Sequence, residues 1–381
     1  MVALASSLLV VLSLPVFLAS GSSHSNLRVS KGGGKESSSN VWPGSSAVDS
    51  VDPPLYFPEN LSGLYYYSDP QGSASSTTTP SLYAIQNSPS MLYRLKFNGR
   101  QKWLRDETDG WAAGKTLYYP SGTGSPDVED VTMAELPSSS TSGTGSSSSK
   151  NLYACSERDG VGVSRLSVLL FTDDDATAPN DYLVASKEWR FDSVFPNLPD
   201  SNLGFEGITW IPDEFLLARS FVDASTKKPY DPARYPDHGT GLFFLALELD
   251  GTVHAFALDH SETGSGAVSR IAWFPSGSSS AMSLYFDRGS GYLWSLCDDS
   301  CVENPNEHNV HELIDGVFTS KTSPHYDPPK GIVGLNVEGF AISGDDECDS
   351  KGEKPVFWVD DGREVKGHAL YQGTVKCGTF I

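Results

Sequence analysis

Three glutamates recur in one short motif and are the first candidates for chemistry in this chain. Each follows an apolar residue and opens an apolar segment; the copies are Val128-Glu129-Asp130-Val131-Thr132-Met133, Phe205-Glu206-Gly207-Ile208-Thr209-Trp210 and Val337-Glu338-Gly339-Phe340-Ala341-Ile342. A ring of carboxylates offers the hard oxygen ligands that Ca²⁺ prefers. The alternative role is structural, with each glutamate accepting hydrogen bonds from the backbone of a neighbouring repeat.

A second set of acidic residues ends or follows the next apolar segment of several repeats. These residues are Glu157-Arg158-Asp159, Asp298-Asp299, Asp345-Asp346-Glu347 and Asp360-Asp361. Acids at the ends of equivalent strands gather on one face, where they can join the glutamates. We therefore predict a calcium site on that face, with ligands from Glu129, Glu206, Glu338, Asp298 and Asp360, and with Glu157 beside them. The alternative for these acids is turn formation, because Asp favours turns.

Two arginines predict that the same face also binds an anionic group. Arg158 and Arg219 follow segments that we interpret as the equivalent second strands of two repeats. Two guanidinium groups on one face can hold a phosphate or a carboxylate in a bidentate manner. The alternative is that each arginine pairs with a neighbouring glutamate.

The repetition of the motif predicts the fold. Degraded copies begin near Leu61 and Met282, so the apolar segments form five units. Self-similar strand units of this kind are typical of a β-propeller. We predict an all-β chain with a single propeller of five blades, each of four antiparallel strands, with six blades as the alternative. In the third unit the predicted strands are 205–211, 215–220, 241–248 and 252–258, and segment 50–58 is the candidate for a strand that closes the last blade.

Composition narrows the partners of the chain. The 381 residues carry a formal net charge of −21, and the sequence pI is about 4.6. Such a charge argues against nucleic acid and anionic membrane surfaces as partners. It is compatible with cations, or with an anionic ligand bridged by metal ions. We expect a monomer that binds a small-molecule or phosphorylated ligand on one propeller face.

The amino-terminal region predicts export. Residues 2–19 are apolar and uncharged and lead into small residues, as in a signal peptide, so we predict cleavage near Gly21. An uncleaved anchor is the alternative; after cleavage we expect no membrane association. The predicted organisation is a signal peptide over 1–21, a disordered Ser/Gly-rich linker over 22–50 and a propeller domain over 51–381, with a low-complexity insertion at 137–150.

Cysteines and a glycosylation sequon agree with a secreted location. The spacing of the five cysteines predicts Cys297–Cys301 and Cys348–Cys377 disulfides and a buried free thiol at Cys155. Asn60-Leu61-Ser62 is a candidate N-glycosylation site, although Ser62 falls at the start of a predicted inner strand.

With these motifs in hand, the chain resembles the secreted β-propellers grouped as phytase-like, or "esterase-like activity of phytase", and the related SdiA-regulated propellers. The resemblance covers about residues 55–377. It depends on Asp127-Val128-Glu129 through Thr132, Cys155-Ser156-Glu157-Arg158-Asp159 with Ser164-Arg165, Gly204 through Thr209, and Asn336-Val337-Glu338-Gly339. The chain departs from the pattern at Asp130, where the other copies have Gly. The resemblance implies hydrolysis of an ester.

Two functions therefore remain open at the level of sequence. The first is a secreted, Ca²⁺-dependent phosphoester or ester hydrolase, whose metal polarises the reacting oxygen and activates water. The second is a non-catalytic propeller that binds a ligand or a protein. A convergent cluster of acids and arginine favours the enzyme, whereas an exposed aromatic patch around Trp189, Trp210 and Trp294 favours the binding protein.

Overall fold

The computed structural model describes residues 40–68, 79–136, 149–172, 176–198, 200–261, 266–301, 304–320, 325–362 and 366–379. The strands, in chain order, are β1 (Asp49–Ser50), β2 (Leu61–Tyr67), β3 (Ser81–Gln86), β4 (Met91–Phe97), β5 (Trp103–Arg105), β6 (Lys115–Tyr118), β7 (Pro126–Leu136), β8 (Ser149–Asp159), β9 (Ser164–Phe171), β10 (Tyr182–Val184), β11 (Lys187–Arg190), β12 (Phe205–Pro212), β13 (Val222–Asp223), β14 (Lys228–Pro229), β15 (Gly241–Leu247), β16 (Thr252–Leu258), β17 (Val268–Pro275), β18 (Ser283–Asp287), β19 (Tyr292–Leu296), β20 (His308–Ile314), β21 (Val317–Thr319), β22 (His325–Tyr326), β23 (Val337–Ile342), β24 (Glu353–Asp360) and β25 (Leu370–Lys376). The helical elements with defined bounds are α1 (Asp213–Ala218) and the 3₁₀ turns Pro232–Arg234, Glu248–Asp250, Lys330–Ile332 and Asp345–Glu347.

These strands form the predicted five-bladed propeller. From the centre outwards, the blades are β2-β3-β4 with β5 and β6, β7-β8-β9-β11, β12-β15-β16-β17, β18-β19-β20-β21, and β23-β24-β25-β1. The main blade strands are antiparallel, and β10 adds to the edge of the first blade in parallel with β6. The innermost strands contact one another around a ring: β2 with β7, β7 with β12, β12 with β18, β18 with β23, and β23 with β2.

The fifth blade is closed by the other end of the chain. Asp49 and Ser50 of β1 pair with Gln372 and Tyr371 of β25 and supply the outermost strand. Trp42 is also buried and lies between Trp294 and Trp358, with ring centroids 5.8 and 5.5 Å away. Residues 40–50 therefore belong to the propeller, and the prediction that the linker extends to residue 50 is wrong.

The hydrophobic core lies between neighbouring blades, as the alternation of apolar side chains on the strands requires. Tyr153 of the second blade packs against Phe243 of the third, with ring centroids 4.5 Å apart. Trp294 of the fourth blade packs against Phe340 of the fifth at 5.7 Å. Each fully buried aromatic side chain of this kind stabilises the fold by roughly 1.5–3 kcal/mol relative to exposure.

The third blade differs from its prediction. Segment 215–220 is not its second strand, because residues 213–218 form α1 and the second strand is β15. Asp213 and Glu214 occupy the first helical turn, where acidic side chains interact favourably with the helix dipole. The second strand of the blade therefore begins only at Gly241.

Both predicted disulfides are present. Cys297 is bonded to Cys301 and Cys348 to Cys377, each with a Cα–Cα distance of 6.2 Å, and Cys155 is a buried free thiol. Two disulfides are typical of an oxidising, extracellular environment. The predicted signal peptide over 1–21 lies outside the described residues, as does most of the 137–150 insertion, although residues 149 and 150 belong to β8. Within the described part of the chain, no helix has the length and apolar character needed to cross a membrane.

Candidate functional site

A β-bulge positions the recurring glutamates. The register of the innermost strand against its neighbour shifts between Val128 and Asp130, between Phe205 and Gly207, and between Val337 and Gly339. The residue left unpaired by each shift is the glutamate, so Glu129, Glu206 and Glu338 occupy equivalent positions, as predicted. The first blade has the same shift with Ser62 as the unpaired residue. A bulge re-aims the side chain of the extra residue, which here turns the glutamates out of the sheet ladder.

The glycine after the glutamate reflects close approach of the inner strands. A Cβ on Gly207 would lie 2.8 Å from the backbone nitrogen of Leu284, and a Cβ on Gly339 would lie 2.6 Å from the carbonyl oxygen of Ser62. Real Cβ atoms do not tolerate such distances from backbone. The motif Glu-Gly therefore combines a side chain that leaves the ladder with a backbone that a neighbouring blade can touch.

Asp130 stands where the other bulges have glycine, and its carboxylate binds backbone of several blades. The carboxylate accepts hydrogen bonds from the amides of Val131 at 2.8 Å and Ile208 at 3.0 Å. Burial raises the pKa of Asp130 well above its usual range, opposed by hydrogen bonds from these amides and from those of Leu284 and Leu64. This side chain fills the channel just beyond the glutamates and joins four blades.

Five carboxylates converge at the end of the channel where the inner strands begin, and we call them the carboxylate cluster: Asp127, Glu129, Glu157, Glu206 and Glu248. Ligand oxygens of Asp127, Glu129 and Glu157 all lie within 4.8 Å of one another, and so do those of Glu157, Glu206 and Glu248. Glu157 belongs to both groups, so the cluster is continuous. It draws on the inner strand and the second strand of blades two and three.

Hydrogen bonds satisfy the cluster only in part. Oε2 of Glu129 accepts hydrogen bonds from Ser62 Oγ at 3.0 Å and from Asn87 Nδ2 at 3.2 Å. Oε1 of the same side chain, which is 2% exposed, has no partner among the described residues. Oε2 of Glu248 and the side-chain oxygen of Asn87 are likewise buried and without a partner in the described part of the chain. Burying such an oxygen without a hydrogen-bond partner destabilises the folded state unless a ligand binds it.

The pKa values of the cluster carboxylates also reflect burial and repulsion between like charges. Desolvation, followed by the charges of Glu157 and Asp127, raises the pKa of Glu129 well above its usual range. Desolvation and the charges of Glu129, Glu157 and Glu248 do the same to the pKa of Glu206. Burial raises the pKa of Glu157 to about 7, against the opposing charge of Arg158, and burial together with Glu157 raises the pKa of Glu248 to about 7.

Arg158 borders the cluster on its solvent side. Its Nε donates a short hydrogen bond to Asp127 and lies 3.3 Å from Glu157 Oε1. The side chain is 27% exposed and also lines a cavity of about 470 Å³, which we call the mouth cavity. The lining residues of the mouth cavity are Asn87, Ser88, Pro89, Ser125, Pro126, Asp127, Arg158, Asp159, Gly160 and Gly162. A ligand in the mouth cavity can therefore contact one member of the cluster, Asp127, and the guanidinium of Arg158 at once.

Other predicted ligands lie outside the two carboxylate groups. Glu338 is at the equivalent bulge but accepts a hydrogen bond from Asn336 Nδ2 at 3.1 Å and neighbours Asp361, which raises its pKa together with burial. Asp298 caps its own turn by accepting hydrogen bonds from the amide and hydroxyl of Ser300, at 3.0 and 2.6 Å. Asp360 likewise accepts hydrogen bonds from backbone amides, including that of Asn336 at 3.2 Å.

The prediction that Arg219 is equivalent to Arg158 is wrong. Arg219 follows α1, which begins where the inner strand β12 ends, so it lies at the opposite end of the channel. Its guanidinium stacks 4.1 Å from the ring centre of Phe215. The structure therefore provides one arginine at the carboxylate cluster from the predicted pair.

The aromatic patch that would favour a binding protein is also absent from the surface of the described residues. Trp189 and Trp294 are at most 1% exposed, and Trp210 is 5% exposed. The glycosylation candidate Asn60 lies next to the cluster: its Nδ2 donates to the carbonyl of Ser88 at 3.2 Å, and Ser62 of the same sequon is buried. Glycosylation there stays a prediction.

Two members of the cluster were missed by sequence reasoning. Glu248 directly follows β15, as Glu157 ends β8, but the wrong second strand hid this equivalence. Asp127 lies two residues before Glu129 and came into the sequence argument only as part of a family motif. The hairpin signal Asp250-Gly251 marks the end of the true second strand and could have located Glu248.

Comparisons with known proteins do not assign the chain to a family. No family model matches the chain, and no curated protein matches its sequence, so the resemblance to phytase-like propellers stays a prediction. Similar solved structures include a thermostable family-43 glycoside hydrolase (11% identity, TM-score 0.42, 85% of this chain and 91% of that chain) and a putative 6-phosphogluconolactonase from Bacteroides fragilis (12% identity, TM-score 0.34, 82% of this chain and 83% of that chain). A Polycomb Repressive Complex 2 from Chaetomium thermophilum also matches (11% identity, TM-score 0.31, 82% of this chain), and there the chain spans 53% of the matched chain. Likenesses this distant carry no information on activity.

Proposed function

We propose that the chain is a secreted propeller that binds Ca²⁺ at the carboxylate cluster and hydrolyses a phosphoric or carboxylic ester in the mouth cavity. The observation that carries the proposal is the convergence of five carboxylates in which Glu129 Oε1 and Glu248 Oε2 are buried without a partner among the described residues. Carboxylates held this close repel one another, and desolvation adds to that penalty. A bound cation removes both penalties.

The donor set fits calcium in particular. It consists of carboxylate oxygens, with the orphaned amide oxygen of Asn87 beside them, and Ca²⁺ binds six to eight such hard oxygens. Four of the cysteines are engaged in disulfides, and the free thiol of Cys155 offers no thiolate, because burial and the charges of Asp130, Glu129 and Glu206 raise its pKa well above its usual range. A zinc or copper site of nitrogen and sulfur ligands is therefore not what these side chains resemble.

Each side chain has a distinct part in the proposed reaction. Asp127, Glu129 and Glu157, or Glu157, Glu206 and Glu248, would hold the cation at the channel mouth. When bound, Ca²⁺ would supply Lewis-acid chemistry to the ester. Arg158 orients the anionic group of the substrate in the mouth cavity through charge-assisted hydrogen bonds. Asp130 closes the channel behind the cluster, so that substrate reaches it from the mouth cavity.

Hydrolysis of p-nitrophenyl phosphate and p-nitrophenyl acetate, each in Ca²⁺ and in EGTA, tests the proposal. We expect turnover of at least one ester in Ca²⁺, loss of turnover in EGTA, and a raised KM in Arg158→Gln. Arg190→Gln is the matched control, because Arg190 is an exposed arginine at the outer edge of the same blade. Calcium binding without turnover of any ester would favour the alternative, a non-catalytic ligand- or protein-binding propeller.

Secretion belongs to the same proposal. The two disulfides fit an oxidising compartment, and the apolar segment at 2–19 supplies the export signal. Mass spectrometry of the amino terminus of protein exported by a eukaryotic host should find a start near residue 22. A start at Met1 would contradict cleavage.

A further inference from the structure

A second cavity, which we call the Tyr65 cavity, lies at the end of the channel opposite the carboxylate cluster. Its volume is about 310 Å³, and its aromatic walls include Tyr65 and Tyr67 of β2, Trp210 of β12 and Tyr285 of β18. Asp130 lies between the two ends, because it follows Glu129 and precedes the stretch of β7 that borders this cavity. Aromatic walls contributed by several blades suit a planar ring.

Two cationic side chains border the Tyr65 cavity. The guanidinium carbon of Arg288 lies 5.2 Å from the ring centre of Trp210, and the ammonium of Lys150 lies 4.9 Å from the ring centre of Tyr67. Among the described residues, the carboxylate paired with Arg288 is that of Glu135, at 3.8 Å. That distance is too long for a hydrogen bond, so within the described part of the chain the guanidinium is oriented by Trp210 and keeps donors available.

Acidic side chains also line the Tyr65 cavity. Lys354, whose side chain is 0% exposed, binds Asp287 at 2.8 Å and Asp345 at 2.7 Å, so these two carboxylates share one ammonium. Asp346 lines the cavity as well. The ion pair that the structure gives Arg288 among the described residues is the 3.8 Å contact with Glu135. An anionic ligand group can replace that weak contact with a bidentate one.

One hydroxyl group at this cavity lacks a partner among the described residues. Ser343 lines the cavity, is 1% exposed, and its Oγ makes no hydrogen bond with the described residues. Burial raises the pKa of the Tyr65 hydroxyl, and the charges of Arg288 and Lys150 oppose that shift. A buried hydroxyl without a partner is uncommon, and that of Ser343 borders a space that a ligand can enter.

We propose that the Tyr65 cavity binds a small aromatic carboxylate. The ring lies among Tyr65, Trp210 and Tyr285, and the carboxylate accepts hydrogen bonds from Arg288. A polar substituent on the ring reaches the hydroxyl of Ser343. The volume is at the lower end of the roughly 300–1,000 Å³ range of ligand pockets, which suits a ligand of one or two rings.

Isothermal titration with 4-hydroxybenzoate and with its neutral isostere 4-hydroxybenzamide tests this site. We expect saturable binding of the acid and at least about tenfold weaker binding of the amide, because a charge-assisted hydrogen-bond pair is lost. Arg288→Gln should weaken binding of the acid by a similar factor and leave the amide unchanged. Glu135→Gln should tighten binding of the acid, because it removes the carboxylate that competes for Arg288.

Controls separate this site from the carboxylate cluster and from misfolding. Glu129→Gln and Arg190→Gln should bind 4-hydroxybenzoate as the wild type does. Arg288 is half-exposed, so its variant should keep the wild-type melting temperature. Equal affinity for acid and amide, wild-type affinity in Arg288→Gln, or no saturation by about 10 mM acid would each overturn the proposal.

Discussion

Replacing Glu129 by glutamine should stabilise the calcium-free protein and weaken its response to calcium. The change preserves shape and removes one buried charge. Ser62 and Asn87 donate to Oε2 of Glu129, while Oε1 has no partner among the described residues. The side chain lies beside the carboxylates of Asp127 and Glu157. A glutamine there no longer repels those neighbours, but it is a poorer ligand for a cation.

The size of the stabilisation follows from linkage. Burial and the charges of Glu157 and Asp127 raise the pKa of Glu129 in the folded state well above its ordinary 4.5, so folding favours the protonated form of this group. Because the folded state then binds more protons here than the unfolded state, the contribution of Glu129 to stability is greatest below about pH 4.5 and falls as pH rises. Between pH 4.5 and 7 the loss is at most about 3.5 kcal/mol, at about 1.4 kcal/mol per pH unit. Glutamine does not titrate, so Glu129→Gln should recover most of that loss.

Urea denaturation in EGTA, from pH 4.5 to 7.5, measures this effect, and melting curves with Ca²⁺ measure the second part of the prediction. Glu129→Gln should lose less stability than the wild type as pH rises, and Ca²⁺ should raise its melting temperature less. Glu135→Gln is the matched control, because Glu135 lies on the same strand at the other end of the channel. If Glu129→Gln destabilises the calcium-free protein at pH 7, the reasoning on buried like charges is wrong.

Three further changes test the fold around the site. Asp130→Ala should lower the free energy of unfolding by at least about 2 kcal/mol in urea denaturation, because amides including that of Ile208 lose their acceptor, whereas exposed Asp192→Ala should stay within about 0.5 kcal/mol of the wild type. Gly207→Ala should be destabilising by about 1–3 kcal/mol in the same assay, since its Cβ meets the backbone of Leu284; a neutral result would contradict the close approach of blades three and four. The double variant Cys348→Ala with Cys377→Ala removes a disulfide between residues 29 positions apart and should lower the free energy of unfolding by about 3 kcal/mol. Unchanged stability would show that this disulfide does not stabilise the carboxyl-terminal strand.

The repeat motif predicted the fold and the inner half of the site. Glu129, Glu206 and Glu338 could be assigned to equivalent positions because the bulge leaves a local pattern in the sequence, an apolar residue followed by Glu and then by Gly or, in one copy, Asp130. The closing strand was also foreseen, although Asp49 and Ser50 form it rather than a longer segment after residue 50. Such features are local or repeat along the chain, so a single sequence reveals them.

The residues that the second strands contribute to the site could be predicted only if the strand pairing was known, and a short apolar segment does not specify that pairing. Phe215-Leu216-Leu217-Ala218 satisfies a strand pattern and a helix pattern equally well at this length. Acidic residues just before it favour a helix start, and the structure has a helix there. Predicting a strand where the chain forms a helix placed Arg219 at the wrong end of the channel and left Glu248 unrecognised. Both assignments depend on which segment pairs with β12.

The spacing of acidic residues in the sequence also did not show which carboxylates are available to bind a cation. Asp360 ends the second strand of its blade and Asp298 follows that of the fourth blade, as predicted, yet both accept hydrogen bonds from nearby backbone amides. Asp127, by contrast, reaches the cluster because a further register shift in β7 precedes Glu129. Hydrogen-bond competition and register are three-dimensional properties, and composition does not encode them.

The most direct test of the calcium site is an anomalous difference map from crystals grown with Ca²⁺. We expect a peak bounded by Asp127, Glu129 and Glu157, or by Glu157, Glu206 and Glu248, with carboxylate oxygens about 2.3–2.6 Å away. Crystals of Glu129→Gln grown in the same way should show a weaker peak or none in the first group. A wild-type map without a peak in either group, at millimolar Ca²⁺ and neutral pH, would show that this cluster is not a cation site.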